Sequence, residues 1–150
     1  MAEIERDTLL QRHLRPEQDE TIRATFCADR AVYWKGHLIM AVVIGLIAGT
    51  VLLWIGNPYP VLGPIGAALA IAARGAFLAS EALTDVWVLT GRRLLGPAQR
   101  SIPLSTIAQA RPFWGTVQIV TKAGDRHLIK YLGQADEVAA QIRRAAGIAP

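Results

Sequence analysis

Charge is missing from a long internal stretch of this chain: between Leu38 and Ala73 there is no Asp, Glu, Lys, Arg or His. An ordinary surface helix keeps one polar face, so this absence excludes that reading for the stretch. Cysteine is nearly absent too. The single Cys27 rules out an internal disulfide, and no metal-ligand spacing surrounds it. Histidines are few (His13, His37 and His127), lie far apart and belong to no ligand or nucleophile motif, so each reads as a surface or interfacial side chain. The chain has no Gly-rich loop opening a helix and no Gly-x-Ser-x-Gly elbow. It has no paired carboxylates in an apolar setting beyond Glu81 and Asp85. Enzymatic activity, a metal and a cofactor are therefore not expected. The net charge of +4 is modest, and no aromatic-and-basic platform recurs, so a nucleic-acid partner is not expected either.

What fills the uncharged stretch is apolar: 52% of the whole chain is hydrophobic. The first run, residues 38–55, is long enough as a helix to cover roughly 27 Å, close to the hydrocarbon thickness of a bilayer. The second run spans residues 61–83 and carries one charge, Arg74. Gly56-Asn57-Pro58-Tyr59-Pro60 separates them and can only reverse the chain. The pattern predicts a transmembrane helical hairpin over 37–83. Six basic residues precede the first run, ten follow from Arg74 onward, and the turn has none, which predicts both termini on the cytoplasmic side of a bacterial inner membrane. The first run starts behind a polar leader, so it is expected to remain as a span and not to be a cleaved signal. Tyr33, Trp34, Trp54, Tyr59 and Trp87 fall where interfacial aromatic belts are expected.

Within the hairpin, small residues recur every four positions, among them Gly45 and Gly49 on the first helix and Gly63 and Ala67 on the second. Such residues let helix backbones approach closely in lipid. Two readings follow: they close the hairpin on itself, or they dock it onto a larger membrane protein. Arg74, the intramembrane charge, is close enough to the cytoplasmic end to snorkel to headgroups, which favours an anchor over a transport role.

The flanks have different periods. The leader up to Arg15 has mixed charge and permits a short helix; residues 16–20 read as a turn. Residues 21–26 alternate as a half-buried strand, which must find its sheet in the C-terminal part. Residues 29–36 read as a short interfacial helix capped by Asp29, completing an N-terminal cytoplasmic segment over 1–36. From 84 to 150 the pattern predicts a compact cytoplasmic domain. Its strand formers lie at 85–90 and around 100–102, and a hairpin of 116–121 with 126–131 is joined through Lys122-Ala123-Gly124-Asp125. Ala135, Val138, Ala139, Ile142 and Ala145 then form one helical stripe, with acids in the first turn, Arg143 and Arg144 in the last and Gly147 as the stop. The expected fold class is α+β: a membrane hairpin, then a small antiparallel sheet or open barrel capped by a C-terminal helix. Arg92, Arg93, Arg100, Arg111, Lys122, Arg126 and Lys130 are candidates for a face toward anionic lipid or a partner. In the adjacent pair Phe113-Trp114, one ring is expected in the core and the other exposed.

Several short motifs in order carry a resemblance. Leu83-Thr84-Asp85-Val86-Trp87-Val88-Leu89-Thr90-Gly91-Arg92-Arg93, then Ile102-Pro103-Leu104-Ser105-Thr106-Ile107, then Gly115-Thr116-Val117-Gln118-Ile119 and the closing helix resemble bacterial pleckstrin-homology-like membrane proteins. The leader Arg15-Pro16-Glu17-Gln18-Asp19-Glu20-Thr21-Ile22 is similar to the segment before that family's first span. The segment between Arg93 and Ile102 is shorter than the family pattern, which implies one strand fewer there, with the strand at 21–26 in compensation. The resemblance implies a PH-like domain and a scaffold role without a reaction. The expected function is that of a non-catalytic accessory or assembly subunit of a larger integral membrane complex, respiratory and photosynthetic complexes being the classes it suggests. A membrane-anchored module for anionic lipid is the alternative, and a small transport component a third.

Overall fold

The computed structural model describes residues 15–149, so residues 1–14 of the leader, which permits a short helix, and His13 with them lie outside the described residues. The chain is α+β and its described residues divide into two compact units: Asp29–Thr84, which is helical, and a sheet unit built from residues 15–28 together with 85–149.

In the helical unit, α1 (Arg30–Trp54) is one uninterrupted helix of 25 residues, about 37 Å long. The lead-in segment expected at 29–36 is simply its first turns. Asp29 caps it, Oδ1 accepting from the amides of Ala31 at 2.7 Å and Val32 at 3.3 Å. The helix ends in a Schellman motif: Gly56, at φ 71°, donates to the Leu53 carbonyl, and Asn57 donates to that of Leu52. The Asn57 side chain then accepts from the Tyr59 amide at 2.8 Å, tightening the reversal before α2 (Leu62–Ala82, 21 residues, about 31 Å). The two helices meet along a seam of every fourth residue. A Cβ on Gly63 would lie 2.6 Å from the Gly49 amide nitrogen, and one on Gly45 would lie 3.1 Å from the Pro64 Cα.

In the sheet unit, seven antiparallel strands among the described residues form two sheets. β1 (Ile22–Cys27), β2 (Val86–Thr90), β3 (Arg93–Gly96) and β4 (Arg100–Pro103) follow one another in the first. A single 3-10 turn at Leu104–Thr106 leads to the second, β5 (Ile107–Phe113), β6 (Thr116–Thr121) and β7 (Arg126–Ile129). β3 and β4 both fit between Arg93 and Pro103, so the short segment there loses no strand. α3 (Ala135–Ala146) lays Val138, Ala139 and Ile142 over β5 and β6 and is closed by Gly147 at φ 69°. One core serves both sheets, from Phe26, Trp87 and Leu94 to Val117, Ile119 and Ile142.

Three aromatic expectations change here. Trp87 is 3% exposed and belongs to this core, not to an interfacial belt; its ring lies over Gly96, where an added Cβ would stand 2.6 Å away. Tyr33 is likewise buried inside the helical unit. Phe113 and Trp114 are both exposed, at 74% and 79%, so neither plugs the core.

Candidate functional site

The β5–β6 connection is as short as a hairpin allows. Phe113 pairs with Thr116, leaving Trp114 and Gly115 as a two-residue loop with φ of 42° and 71°. Positive φ at both loop residues is what a type I′ turn requires, because its twist matches that of the flanking strands. Glycine adopts it freely; for a side chain like tryptophan the left-handed region costs about 1–2 kcal/mol. The Gly115 carbonyl accepts from the Leu132 amide at 2.7 Å, which fixes the turn to the loop after β7. Two large aromatic rings are thus held in solvent at the tip of a rigid hairpin, at a conformational cost that no packing offsets.

Register extends this tip into a face. Arg111, Gln118 and Leu128 lie in one row across β5, β6 and β7, and Gln109, Val120 and Arg126 in the next. Arg111, Arg126 and Leu128 are exposed, while the alternate residues Ala110, Val117, Ile119 and Ile129 point into the core. Neither row contains an acidic side chain. Among the described residues, Arg111 and Arg126 have no ion-pair partner. A sheet surface with aromatic, guanidinium and amide groups can bury rings and donate charge-assisted hydrogen bonds at the same time.

The remaining candidates scatter. Arg92 is exposed in the β2–β3 turn, which Thr90 organises by accepting from the amides of Arg92 and Arg93 and donating to the Arg93 carbonyl. Arg93 is not a free contact. It grips Glu20 through Nε to Oε1 at 2.8 Å and Nη2 to Oε2 at 3.2 Å, and reaches Glu17 at 3.0 Å. The Glu20 side chain is 2% exposed, and the Arg93 hydrogen bonds hold its carboxyl below the usual carboxylate range while Glu20 pushes the guanidinium up. Arg100 stands at the start of β4, on the open edge of the four-stranded sheet. In the hairpin, Gly45, Gly49 and Gly63 are spent on contact between α1 and α2, Ala67 is half-buried and Arg74 is exposed.

Sequence reasoning missed one cluster. His37 is 7% exposed, not superficial: a ring nitrogen lies 3.0 Å from the Tyr33 carbonyl, and its ring centroid is 4.3 Å from that of Tyr33. Tyr33 donates its hydroxyl to the Gly75 carbonyl at 2.7 Å, and a Cβ on Gly75 would stand 2.9 Å from His37. The four-residue spacing of Tyr33 and His37, opposite Gly75 near the far end of α2, was the available signal. These contacts lock α1 to α2 and leave the Nε2 of His37 buried without a hydrogen-bond partner among the described residues. Among the described residues no three His, Cys, Asp or Glu side chains gather as a metal site. Comparison with protein-family models, curated proteins and solved structures finds no match to the chain.

Proposed function

We propose that the chain is a non-catalytic accessory protein of the bacterial inner membrane. Helices α1 and α2 cross the bilayer as a hairpin, both flanks lie in the cytoplasm, and the PH-like sheet unit docks on a larger integral membrane complex. Two facts support the anchor: both helices are long and apolar enough to span, and only 11% of the most apolar window of each is buried, whereas a soluble core helix is mostly covered. The excess of lysine and arginine on both flanks, with none in the turn, supports the orientation.

The observation that carries the docking role is the exposed Phe113–Trp114 tip beside unpaired Arg111. Tryptophan and arginine dominate binding hot spots, and a rigid turn presents them with little ordering cost. Native electrophoresis of the full chain extracted in mild detergent tests this. The wild type should migrate with a high-mass complex, and the Trp114→Gly variant should run free of it. Glycine relieves the left-handed strain, so this variant should be as stable as the wild type or up to about 1 kcal/mol more so, which separates lost binding from lost fold. A wild type that runs alone, or a W114G protein that still co-migrates, overturns the proposal. The absence of acids from the same face favours a second reading, docking on the anionic leaflet, where each near-surface charge contributes about 1 kcal/mol. That reading expects salt-sensitive attachment to anionic bilayers in place of a protein partner.

A further inference from the structure

One cavity lies wholly within the helical unit. It measures about 420 Å³, in the size range of small-molecule sites, and its walls include Trp34, His37 and Ala41 from α1 with Ala68, Ile71 and Ala72 from α2. Three of these six are alanines, which leave open the space that larger side chains would fill. Lys35, itself exposed, is the one charged residue along it. The polar chemistry of the interior comes down to one imidazole. His37 turns Nδ1 to the Tyr33 carbonyl at 3.0 Å. A carbonyl can only accept, so Nδ1 carries the hydrogen and Nε2 of the neutral ring is left as an acceptor. That Nε2 is buried and has no partner among the described residues. Folded interiors rarely leave a buried acceptor unmade, so this one marks a bond that the helical unit does not supply from its own groups. Nε2 has no open surface, and a ligand reaches it only where a neighbour gives way. Trp34 has the room: it lines the same cavity, its ring lies 5.8 Å from the imidazole between centroids, and it is 37% exposed.

We propose that this cavity takes a phenol-type ligand dissolved in the membrane, an apolar ring whose hydroxyl donates to His37 Nε2 while the Trp34 ring shifts to cover its face. A wholly apolar occupant would leave Nε2 unmade, and a carboxylate or phosphate anion has no hydrogen to give it. A straight-chain alcohol could donate but would forgo stacking against the indole and the imidazole. Arrival of the ligand from the bilayer rests on the membrane reading of the hairpin. The cavity and its acceptor do not, because they belong to one unit and need neither the sheet unit nor a partner complex.

The test is a titration of the full chain in mild-detergent micelles, followed by NMR of nitrogen-labelled tryptophan and histidine. The Trp34 and His37 signals are identified by their loss in Trp34→Phe and His37→Phe. Three probes are added: para-octylphenol; para-octylanisole, which keeps ring and tail but loses the donor; and dodecanol, which keeps the donor but loses the ring. Octylphenol should shift both signals and saturate, and the other two should bind about three- to tenfold more weakly, the loss of one hydrogen bond or one ring stack. In His37→Phe, read from Trp34, octylphenol and octylanisole should bind alike, because the acceptor that told them apart is gone. Ala72→Leu, which fills the cavity, should abolish the response to all three, whereas Ala70→Leu, on α2 but outside the cavity lining, should leave it unchanged. Detergent unfolding of each variant confirms that the hairpin is intact. Absence of a saturable shift with octylphenol overturns the proposal. So does an anisole or dodecanol that binds the wild type as tightly, or an intact Ala72→Leu chain that still responds. A wild type that binds octylphenol yet migrates free of any high-mass complex would remove the docking role and leave this site standing, so the two readings fail separately.

Discussion

Glu20 and Arg93 show how a surface-sounding sequence hides a fixed contact. Pro16-Glu17-Gln18-Asp19-Glu20 reads as a solvated turn, and the turn is there, closed by the Glu20 amide to the Glu17 carbonyl at 2.9 Å. Yet the Glu20 carboxylate is covered and held bidentately by an arginine 73 positions later, a pairing no local pattern could announce. The carboxyl is depressed in the folded state, so its contribution is full above the ordinary carboxylate range and disappears as pH falls through the lowered folded value. Thermal unfolding of wild type and Glu20→Gln should therefore differ most near neutral pH, with the wild type more stable, and the two should converge in strong acid. A gap that persists unchanged to low pH would mean the ion pair is not its source. Trp87 and Trp114 teach a related lesson. Both are tryptophans beside strand formers, but Trp87 faces a glycine that vacates space for the ring, whereas Trp114 occupies a turn whose backbone points it outward. Composition alone cannot separate these fates, because burial depends on the cross-strand neighbour.

The elements with a sustained period were readable in advance, and those set by a cross-chain partner were not. The α3 stripe and the β6–β7 hairpin emerge with their turn residues, because periodicity and turn chemistry are local. β7 stops at Ile129 where the alternating pattern runs to Tyr131, and Tyr131 itself turns at φ 59°. β3 and β4 are four residues each; Gly96-Pro97 marks the break between them, but the positive φ falls on Ala98 and Gln99, where no glycine announces it. In the hairpin, the small-residue repeat left open whether the glycines face each other or a foreign helix. Distances decide this for Gly63, whose added Cβ would meet only backbone: Gly49 nitrogen at 2.6 Å, Ala48 carbonyl carbon at 2.7 Å and Gly49 Cα at 3.0 Å. Backbone cannot rotate away, so Gly63→Ala should destabilise the hairpin by about 1–3 kcal/mol. Gly66, one turn along, has nothing within 4 Å of its would-be Cβ. Gly66→Ala should leave stability unchanged or raise it by up to about 1 kcal/mol through helix propensity. Unfolding of both variants in detergent checks the contrast, and equal effects would contradict the seam.

At the scale of the whole molecule, the sheet unit is discontinuous in sequence. β1 comes before the hairpin and β2 after it, paired from Ile22 opposite Thr90 to Cys27 opposite Val86. A fragment starting at Asp85 thus lacks Phe26 from the core, the neighbour strand of β2 and both acids that hold Arg93. Losing a buried phenylalanine alone costs about 3–5 kcal/mol, comparable to the whole stability of a small domain. The fragment 85–150 should therefore fail to give a cooperative melt. Fusing residues 15–28 to 85–150 through a short Gly/Ser bridge, which has only to join the neighbouring ends of a strand pair, should restore one. If the bare fragment melts as sharply as the fusion, β1 is dispensable. The arrangement also sets an order on biosynthesis. Once made, β1 must wait, unmatched, while some sixty further residues, both long apolar helices among them, leave the ribosome. Only then does its hydrogen-bonding mate arrive, so a chain whose helical unit misfolds cannot complete its sheet unit and leaves the edge of β1 open to wrong partners.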